Sequence, residues 1–465
     1  MKILLNNSLK AGFIALAGLL CLSSFGGELR IGAATVRITP PLGTPMAGYY
    51  YTRGAEGVHD DLYAKALVIE KEGIRVAVVS CDIIEIPADL AADVRHLAEK
   101  ASGIPADHIM IGATHAHTGP VILSPANMYT MDAGSDELLK KYMEQLPVLI
   151  ALSIRQACDA LKPANLSYGL GHEETISFNR RFFMKDSSVG WNPGVGNPDI
   201  LRPAGPIDPD VGVLYSEALN GQPISTYVNF AVHLDVVSGL AFSADMPYTL
   251  STILGQVKGG DMVTFFAPGC SGNLNHINVK GPELQGGHPF AKRMGTILAG
   301  EVIKTYANCK PLSVDKISTK SEIVTLPLFE INPADVPKAR ETAAKFGQAG
   351  VPFLEMVNAF KVIDVYDRKG KPMDAEIQVF TMGDEFAIVS LPGEIFTELG
   401  MYIKSRSPYP YTMIVELANG SIDYIPDRKA FAEGNYEPVS SRCAPGSGEI
   451  LVEHVLSLLT ELKNK

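Results

Sequence analysis

The chain has 465 residues, a formal net charge of −11 and 46% hydrophobic residues, which is typical of a globular protein with a large core. Its basic residues form no cluster, so we do not expect a nucleic-acid partner. The 6 cysteines are scattered without a CxxC pair, which argues against a disulfide scaffold and a cysteine-rich metal site, although one disulfide is compatible with them.

The N-terminus has the features of a secretory signal. Lys2 and Lys10 supply positive charge, and Ala11 to Leu22 forms an apolar segment that is too short for a membrane span. No other segment of the sequence reaches transmembrane length. We therefore expect a signal peptide at residues 1–26 and an exported mature protein, periplasmic or extracellular, at residues 27–465.

In the first part of the chain, strand-like and helix-like segments alternate. A hairpin is predicted around Lys71-Glu72-Gly73. Ser135 is expected to cap a long helix, and Pro147 to kink or split it. The predicted elements are strands at Leu29–Arg37, Ala64–Glu70, Arg75–Asp82 and His108–Ala113, and helices at Pro87–Ala101 and from Ser135 to near Ala160.

The second part of the chain continues the alternation. Several connections are too short for helical crossovers, so the fold is predicted as α/β, with a mixed β-sheet core and flanking helices in one large domain. Residues 183–207, which contain Trp191, are predicted to form a long loop, a lid or a substrate wall. The predicted elements are strands at Val211–Leu214, Ile224–Ala231, Met262–Ala267, Lys316–Leu328, Glu376–Met382, Glu385–Leu391 and Thr412–Glu416, and helices at Met246–Val257, Pro289–Tyr306, Pro333–Phe346, Glu394–Ser405 and Glu449–Leu462.

His115 and His117 follow the buried strand that ends near Ala113. On an extended segment, residues two apart point to the same face, and the small neighbours allow another group to approach closely. This pattern suits a metal ligand beside a second ligand or a proton carrier. Two hydrogen-bonded histidines in a buried wall would explain it equally well.

Two further segments bring metal-ligating side chains to the ends of predicted strands. His233 ends the strand-like run from Val228, and a metal site needs ligands from several elements. Glu394 follows Pro-Gly at a predicted helix start, where the helix dipole also favours a carboxylate. Each residue alone has a structural explanation, and their combination with the two earlier histidines favours a metal site.

A glycine-rich turn from Cys270 to His276 follows another predicted strand. Its backbone amides and side chains suit an oxyanion site, and Cys270 or Ser271 is a possible nucleophile, but no G-x-S-x-G motif is present. An ordinary glycine turn is the simpler interpretation of this segment alone. Tyr424, in the later loop ANGSIDYIP, is more typical of packing than of chemistry.

Taken in order, the segments GATHAHTGP, NFAVH, LPGEIFTELG and ANGSIDYIP…AFAEGNYE, with the opening ATVRITPPLGTPMAGYY, resemble the neutral/alkaline non-lysosomal ceramidase family. The resemblance extends over most of residues 30–463. It implies one catalytic Zn²⁺ per chain and an amidase activity that uses metal-activated water. The implied zinc ligands are His115, His233, Glu394 and Tyr424, and His117 is implied to face the substrate and its reacting carbonyl.

The sequence departs from the family pattern in two ways. The position that matches the family's essential serine holds Asn275. We also expect the family's C-terminal immunoglobulin-like domain to be absent. We predict a divergent, exported zinc hydrolase that cleaves an N-acyl bond of a small-molecule or lipid substrate. The predicted catalytic residues are His117, Asn275 and Tyr424, and the predicted substrate-binding residues are Arg53, Asn179, Arg180 and Ser271.

Two alternatives remain open. The first is a carbohydrate-active enzyme on the same fold, a lyase or hydrolase of a uronate-containing glycan. The missing serine and the arginines at Arg180, Arg181 and Arg202 motivate it, with His117 and Tyr424 as base and acid. The second is a non-catalytic binding protein that retains the pocket.

Overall fold

The computed structural model describes most of the chain after the predicted signal peptide. Residues 1–26 and Ser135 lie outside the described residues. No helix in the described part of the chain is long and apolar enough to cross a membrane. The described ranges are residues 27–49, 53–123, 136–348 and 350–465.

Strands and helices alternate along most of the described chain. The strands of the first half are β1 (Arg30–Arg37), β2 (Gly57–Val58), β3 (Tyr63–Lys71), β4 (Ile74–Cys81), β5 (Ile109–Ala113), β6 (Lys162–His172), β7 (Phe178–Asn179), β8 (Arg181–Met184), β9 (Val189–Trp191), β10 (Ile200–Pro203), β11 (Asp210–Ala218) and β12 (Pro223–Phe230). Those of the second half are β13 (Ala241–Phe242), β14 (Val263–Pro268), β15 (Leu274–Asn275), β16 (Lys310–Pro311), β17 (Ile317–Leu326), β18 (Met373–Met382), β19 (Phe386–Ser390), β20 (Glu394–Ile395), β21 (Tyr411–Val415) and β22 (Tyr424–Ile425). The helices are α1 (Ala88–Ser102), α2 (Glu137–Asp159), α3 (Met246–Lys258), α4 (Gly287–Tyr306), α5 (Val336–Ala343), α6 (Phe353–Asp367), α7 (Thr397–Arg406), α8 (Arg428–Glu433), α9 (Tyr436–Ser440) and α10 (Ser447–Lys463), with 3₁₀ turns at Ala106–His108 and Pro333–Asp335.

Two large sheets form the centre of the described chain. The larger has the order β14-β12-β11-β6-β1-β3-β4-β5, with β16 also paired to β6. Its outer pairs, β12 with β14 and β4 with β5, are parallel, and the inner pairs are antiparallel. The smaller has the order β17-β18-β19-β21. The predicted mixed-sheet α/β class is confirmed.

The apolar side chains divide into cores that define four layers. Helices α1 and α2 pack on one end of the larger sheet, and α3 and α4 pack on its other end. The two sheets face each other through a shared core that includes Leu67, Phe265 and Phe386. Helices α7 and α10 cover the outer face of the smaller sheet. The candidate site residues come from segments that follow strands of both sheets: β5, β12, β19 and β21.

The second helix differs from its prediction in two respects. Asp136 is its N-cap, with a side-chain oxygen that accepts a hydrogen bond from the Leu139 backbone N–H. The helix also runs unbroken through Pro147 to Asp159. Packing against α1 and β1 stabilises it, and this tertiary stabilisation outweighs the one hydrogen bond that proline removes.

The prediction of a long loop at residues 183–207 is wrong. Strands β8, β9 and β10 form a small antiparallel sheet in the order β10-β8-β9. The Trp191 ring packs against Phe353 and Tyr436, with ring centroids 5.6 and 4.6 Å apart. These strands are too short for a clear alternating pattern. The helix that supplies Phe353, α6, was also not predicted.

Candidate metal centre

Three histidine side chains meet where the loops after β5 and β12 approach each other. The Nε2 atom of His115 lies 3.1 Å from that of His233 and 3.2 Å from that of His117, and the last two lie 3.0 Å apart. Two nitrogens bound to one tetrahedral zinc ion lie about 3.3 Å apart. The spacing of His115 and His233 thus matches two ligands of one metal ion, and His117 Nε2 lies close to both.

The two histidines of the HxH motif converge through a turn rather than along an extended strand. Strand β5 ends at Ala113, and His115 has a left-handed backbone with a φ of 67°. The prediction that both side chains lie together is confirmed, but its reason, strand periodicity, is wrong. Gly48, with a φ of 93°, allows this turn to pack closely, because a Cβ atom there would lie 2.5 Å from the His117 carbonyl oxygen.

Backbone carbonyls set the tautomers of both histidines. Nδ1 of His115 lies 2.8 Å from the Ile84 carbonyl oxygen, and Nδ1 of His117 lies 3.1 Å from that of Gly48. A carbonyl can only accept a hydrogen bond, so each Nδ1 carries a proton. In the neutral form of each ring, the lone pair of Nε2 therefore points at the other ring. Two such lone pairs need a proton or a metal ion between them.

Glu394 completes the cluster from the side of the smaller sheet. Its Oε2 atom lies 3.5 Å from His115 Nε2 and 3.7 Å from His233 Nδ1. The predicted position at a helix start is wrong. Glu394 lies in the short strand β20, which pairs in parallel with β22 and sets Glu394 opposite Tyr424, while helix α7 begins at Thr397.

Two buried atoms of this cluster lack hydrogen-bond partners among the described residues: His233 Nδ1 and Glu394 Oε2. Such atoms are costly unless something compensates them. Burial, together with the neighbouring His115, lowers the pKa of His117 and His233 well below the ordinary value. Burial would raise the pKa of Glu394, but His115 and Arg180 hold it below its usual range. Burial would lower the pKa of His115, but Glu394 raises it above the ordinary value, so the protonated ring is favoured in the metal-free cluster. A zinc ion would replace that proton, because neutral imidazoles and an ionised carboxylate are the donors that zinc prefers.

Glu394, whose side chain is 14% exposed, belongs to an inner wall of which the other side chains are buried: Tyr424, Arg180, Glu437 and Glu416. Burial, and then the charge of Glu394, raise the pKa of the Tyr424 phenol well above its ordinary value. The Arg180 guanidinium carbon lies 5.3 Å from the Tyr424 ring centroid, and Arg180 Nε donates to Glu437 Oε1 at 2.9 Å. The wall therefore supports Glu394 with a chain of paired charges.

The predicted substrate contact of Arg180 receives no support from this arrangement. Arg180 also donates to the Gly272 carbonyl oxygen at 2.7 Å, and Arg181 donates to the other Glu437 oxygen at 2.8 Å. All three charged side chains are buried. Arg202, by contrast, lies on the surface over Phe183, with its guanidinium carbon 4.2 Å from the ring centroid.

The glycine-rich turn supports the strand that bears Glu394. Ser271 is buried and donates a hydrogen bond to Glu416, whose other oxygen accepts from the Ile395 N–H at 2.9 Å. Burial raises the pKa of Glu416 to about 8. A Cβ atom at Gly272 would lie 2.4 Å from the Glu394 carbonyl oxygen, so only glycine fits there. Sequence reasoning missed Glu416, because it follows an ordinary buried strand.

The two predicted asparagines, Asn275 and Asn179, are engaged in holding loops. Asn275 donates to the Asn192 side chain at 2.7 Å and accepts from the Ile277 N–H. Asn179 donates to the Pro206 carbonyl oxygen at 3.0 Å and accepts from the Arg181 N–H. Among the described residues, neither amide is hydrogen-bonded to one of the three histidines.

On the opposite side, Tyr49, Arg53, His117 and Asp235 form an outer wall. Arg53 donates to the carbonyl oxygens of His117, Ala47 and Gly239, so it braces the histidine turn. Asp235 Oδ1 lies 3.6 Å from His117 Nδ1 and accepts from the Tyr49 hydroxyl at 3.0 Å. The Asp235 side chain is 39% exposed, so the outer wall offers a carboxylate to solvent beside His117.

Comparison with known proteins finds similar sequences. Residues 29–197 match the family model for the neutral/alkaline non-lysosomal ceramidase N-terminal region. A neutral ceramidase of Pseudomonas aeruginosa is 30% identical over 184 residues, which are 38% of this chain and 25% of that protein. Neutral ceramidase B of Dictyostelium discoideum is 24% identical over 253 residues, 52% of this chain and 34% of that protein. The matched regions thus span about a quarter and about a third of these relatives.

Solved structures extend the likeness to nearly the whole chain. The crystal structure of neutral ceramidase from Pseudomonas aeruginosa superposes with a TM-score of 0.75 at 21% identity, covering 94% of this chain and 75% of that one. A ceramidase complexed with C2 superposes with a TM-score of 0.73 at 19% identity, with the same coverage. At these identities the superpositions establish a shared fold. Together with the match of residues 29–197 to the family model and the two homologues, they support assignment of the chain to the neutral/alkaline non-lysosomal ceramidase family.

Proposed function

We propose that this protein is an exported zinc-dependent hydrolase that cleaves the amide bond of an N-acyl lipid of the ceramide class. The observation that carries the proposal is the buried cluster of three imidazoles and Glu394, which contains unpartnered polar atoms and opposed lone pairs. The relatives named as neutral ceramidases support the amide substrate. The proposed export rests on the apolar N-terminal segment.

His115, His233 and Glu394, with Tyr424 beside Glu394, are the proposed zinc ligands. Zn²⁺ in such a site supplies Lewis-acid polarisation of a carbonyl group and makes water more acidic. Carbonyl contacts orient His115, and pairing of β20 with β22 orients Glu394. Outer contacts of this kind fix the direction of ligand side chains and sustain metal affinity.

His117 is the proposed proton carrier that faces the substrate. Its side chain is 13% exposed, whereas those of His115 and His233 are 6% and 4% exposed, so it lies nearest to the open side. Burial keeps its pKa low, so Nε2 is free of a proton at neutral pH and can accept one. The Gly48 carbonyl oxygen holds Nδ1–H, and Asp235 stabilises the ring when it becomes positively charged.

The alternative activity on an acidic glycan finds no favourable observation in the described residues. Arg180 and Arg181, which motivated it, are occupied by Glu437. The carboxylate that does reach the open side, Asp235, would repel a uronate. The amidase is therefore the function that we propose, and the glycan activity is retained as an outcome of its test.

The test is a substrate screen on the purified protein, before and after removal of metal with a chelator. We expect fatty-acid release from a short-chain ceramide, loss of that activity on chelation, and recovery on addition of Zn²⁺. Glu394→Gln serves as the inactive control. Amide cleavage that survives complete metal removal would overturn the metal dependence. A rise in ultraviolet absorbance on acidic polysaccharides, without amide cleavage, would replace the amidase by a lyase.

A further inference from the structure

A pair of stacked histidine rings, His59 and His288, lies away from the candidate centre. The ring centroids are 3.4 Å apart and the planes are inclined by only 9°. His59 follows β2, and its backbone N–H donates to the Phe242 carbonyl oxygen at 2.9 Å. His288 lies in the first turn of α4. The stack is therefore a tertiary contact that joins the β2 loop to the start of α4.

Asp60 supplies the negative charge beside this stack. Its side chain is 1% exposed and accepts hydrogen bonds from the Ser243 hydroxyl and the Ala244 N–H, both at 2.7 Å. Its Oδ2 atom also lies 2.9 Å from His59 Nδ1. A single carboxylate can balance the charge of one imidazolium ring, so a second positive ring in the stack would be left uncompensated.

Three features oppose a positive charge on His288. The residue lies at the N-terminus of a 20-residue helix, where the aligned peptide dipoles disfavour a cation. Its ring is in contact with that of His59, so two charged rings would repel each other. Burial, and then the neighbouring His59, lower the pKa of His288, and Asp60 opposes this shift only in part. The His288 ring is therefore neutral at neutral pH.

Other titratable groups border the same cavity of about 690 Å³ beside the stack: Asp245, Tyr248 and Lys292. Asp245 is buried and accepts hydrogen bonds from backbone N–H groups, and burial raises its pKa to about 6, so it loses its charge in the acidic range. Tyr248 packs edge-on against His59, with ring centroids 6.5 Å apart, and Lys292 adds positive charge. These groups do not provide a counter-charge for a second imidazolium under acidic conditions.

We propose that the His59–His288 stack is an acid-sensitive latch, closed while His288 is neutral and open once both rings are positively charged. The sign follows from the lowered pKa of His288, because the closed form binds its proton less readily than the open form does. The latch therefore stabilises the fold above the ordinary histidine pKa of about 6.5, and this contribution is lost as pH falls below that value.

Both halves of the latch are tied to loops of the candidate centre. On the α4 side, the Gly287 N–H donates to the carbonyl oxygen of Val236, in the loop after β12, at 2.7 Å. On the β2 side, the Ser243 carbonyl oxygen accepts from the Thr118 hydroxyl, next to His117, at 2.9 Å. Opening of the latch therefore loosens supports of both histidine-bearing loops. The latch itself does not depend on the proposed amidase activity.

The test is hydrogen–deuterium exchange of the zinc-loaded protein, read by mass spectrometry and corrected for the intrinsic effect of pH. It compares about pH 7.5 with about pH 5, on either side of the ordinary histidine pKa. The reporter segments are residues 54–62 and 284–294. In His288→Phe, an uncharged ring keeps the stack. His454→Gln is the matched control, because His454 is 41% exposed and its Nδ1 lies 2.8 Å from Glu322, without a stacked ring in the described structure.

We expect both segments of the wild type and of His454→Gln to exchange at least roughly fivefold faster at the acidic pH, since two unit charges in contact repel each other even in water. In His288→Phe the rates at the two pH values should agree. His59→Phe should behave in the same way, so it decides the question if His288→Phe does not fold.

Equal protection of the wild type at both pH values would overturn the latch, as would an acid response that persists in His288→Phe. Ceramide hydrolysis and zinc content do not enter this measurement. Failure of the latch therefore leaves the proposed function intact, and failure of the proposed function leaves the latch intact.

Discussion

The inner and outer walls of the candidate centre differ in how far their acidic side chains are exposed to solvent and in how they are paired. In the inner wall, Glu437 is buried and paired with Arg180 and Arg181. Glu416 is also buried and accepts hydrogen bonds from Ser271 and the Ile395 N–H, and burial raises its pKa to about 8. Glu394 is 14% exposed and lies beside His115. Asp235 in the outer wall is 39% exposed. Buried charges are tolerated only when they are paired, so the inner wall is a closed network that positions ligands. In the outer wall, the Asp235 carboxylate and the His117 imidazole lie where a proposed substrate could contact them.

Replacing Glu394 by Gln tests the inner wall most severely. The change removes the negative charge of a proposed zinc ligand, so zinc affinity falls. We expect activity to drop roughly 10³-fold or more, since metal assistance is worth several kcal/mol. Ceramide hydrolysis and zinc content measured on the same sample check this. Near-normal activity with zinc retained would show that Glu394 is not a zinc ligand.

Arg180→Met tests whether the inner wall is a closed network. It leaves Glu437 buried with one arginine instead of two, and breaking a buried ion pair costs about 3–5 kcal/mol. Urea denaturation gives the change in the free energy of unfolding. Arg202→Met is the matched control, because this surface arginine stacks on Phe183 without a buried partner, and its loss should change stability by about 0.5 kcal/mol or less. If Arg180→Met and Arg202→Met lowered the free energy of unfolding equally, Arg180 would not belong to a closed network of buried charges.

Glu416→Gln tests the electrostatic state of the inner wall in metal-free protein. Burial raises the pKa of Glu416 from 4.5 to about 8 in the folded state, so the protonated form is favoured by folding. Its stabilising contribution is complete below about pH 4.5 and is lost as pH rises towards 8. Glutamine imitates the protonated acid, so the variant should lose less stability than the wild type over that range. Parallel pH–stability curves for the two proteins would show that Glu416 does not titrate there.

Asp235→Asn tests the outer wall and has the smallest expected effect. The side chain is partly exposed, so stability should change by no more than about 1 kcal/mol. Loss of the charge beside His117 should lower kcat by roughly tenfold, since an imidazolium is then less stabilised. Steady-state kinetics across pH measure this. An unchanged pH profile would mean that Asp235 does not act through His117.

The sequence predicted those parts of the fold that local signals determine. The hairpin of β3 and β4 and the helix α1, which ends at Gly103 with a φ of 73°, agree closely with their predictions. Strand β6 was missed, because Gly169 and Gly171 interrupt its pattern. Those glycines are required by α4, since a Cβ atom at Gly169 would lie 2.7 Å from Thr305. Such contacts between distant segments leave no local signal.

Prediction of the candidate site was limited in the same way, because contacts between distant segments leave no local signal in the sequence. Motif order, through the family resemblance, identified His115, His117, His233 and Glu394, and the structure brings all four together. The partners of these residues were not found, because Glu416 and Glu437 have the sequence surroundings of ordinary packing residues. Arg53 and Arg180 were predicted to bind substrate, but both donate to internal acceptors, and only the folded chain reveals this. The predicted roles of Asn275 and Tyr424 in catalysis stay predictions.

The most direct test of the central claim is the joint measurement of zinc content and ceramide hydrolysis for His233→Ala beside the wild type. His233 is 4% exposed, and its Nε2 lies 3.0 and 3.1 Å from those of His117 and His115, so its removal opens the cluster. We predict that the variant loses one zinc ion per chain and its hydrolytic activity together. Activity that survives in a variant lacking that zinc would contradict the account.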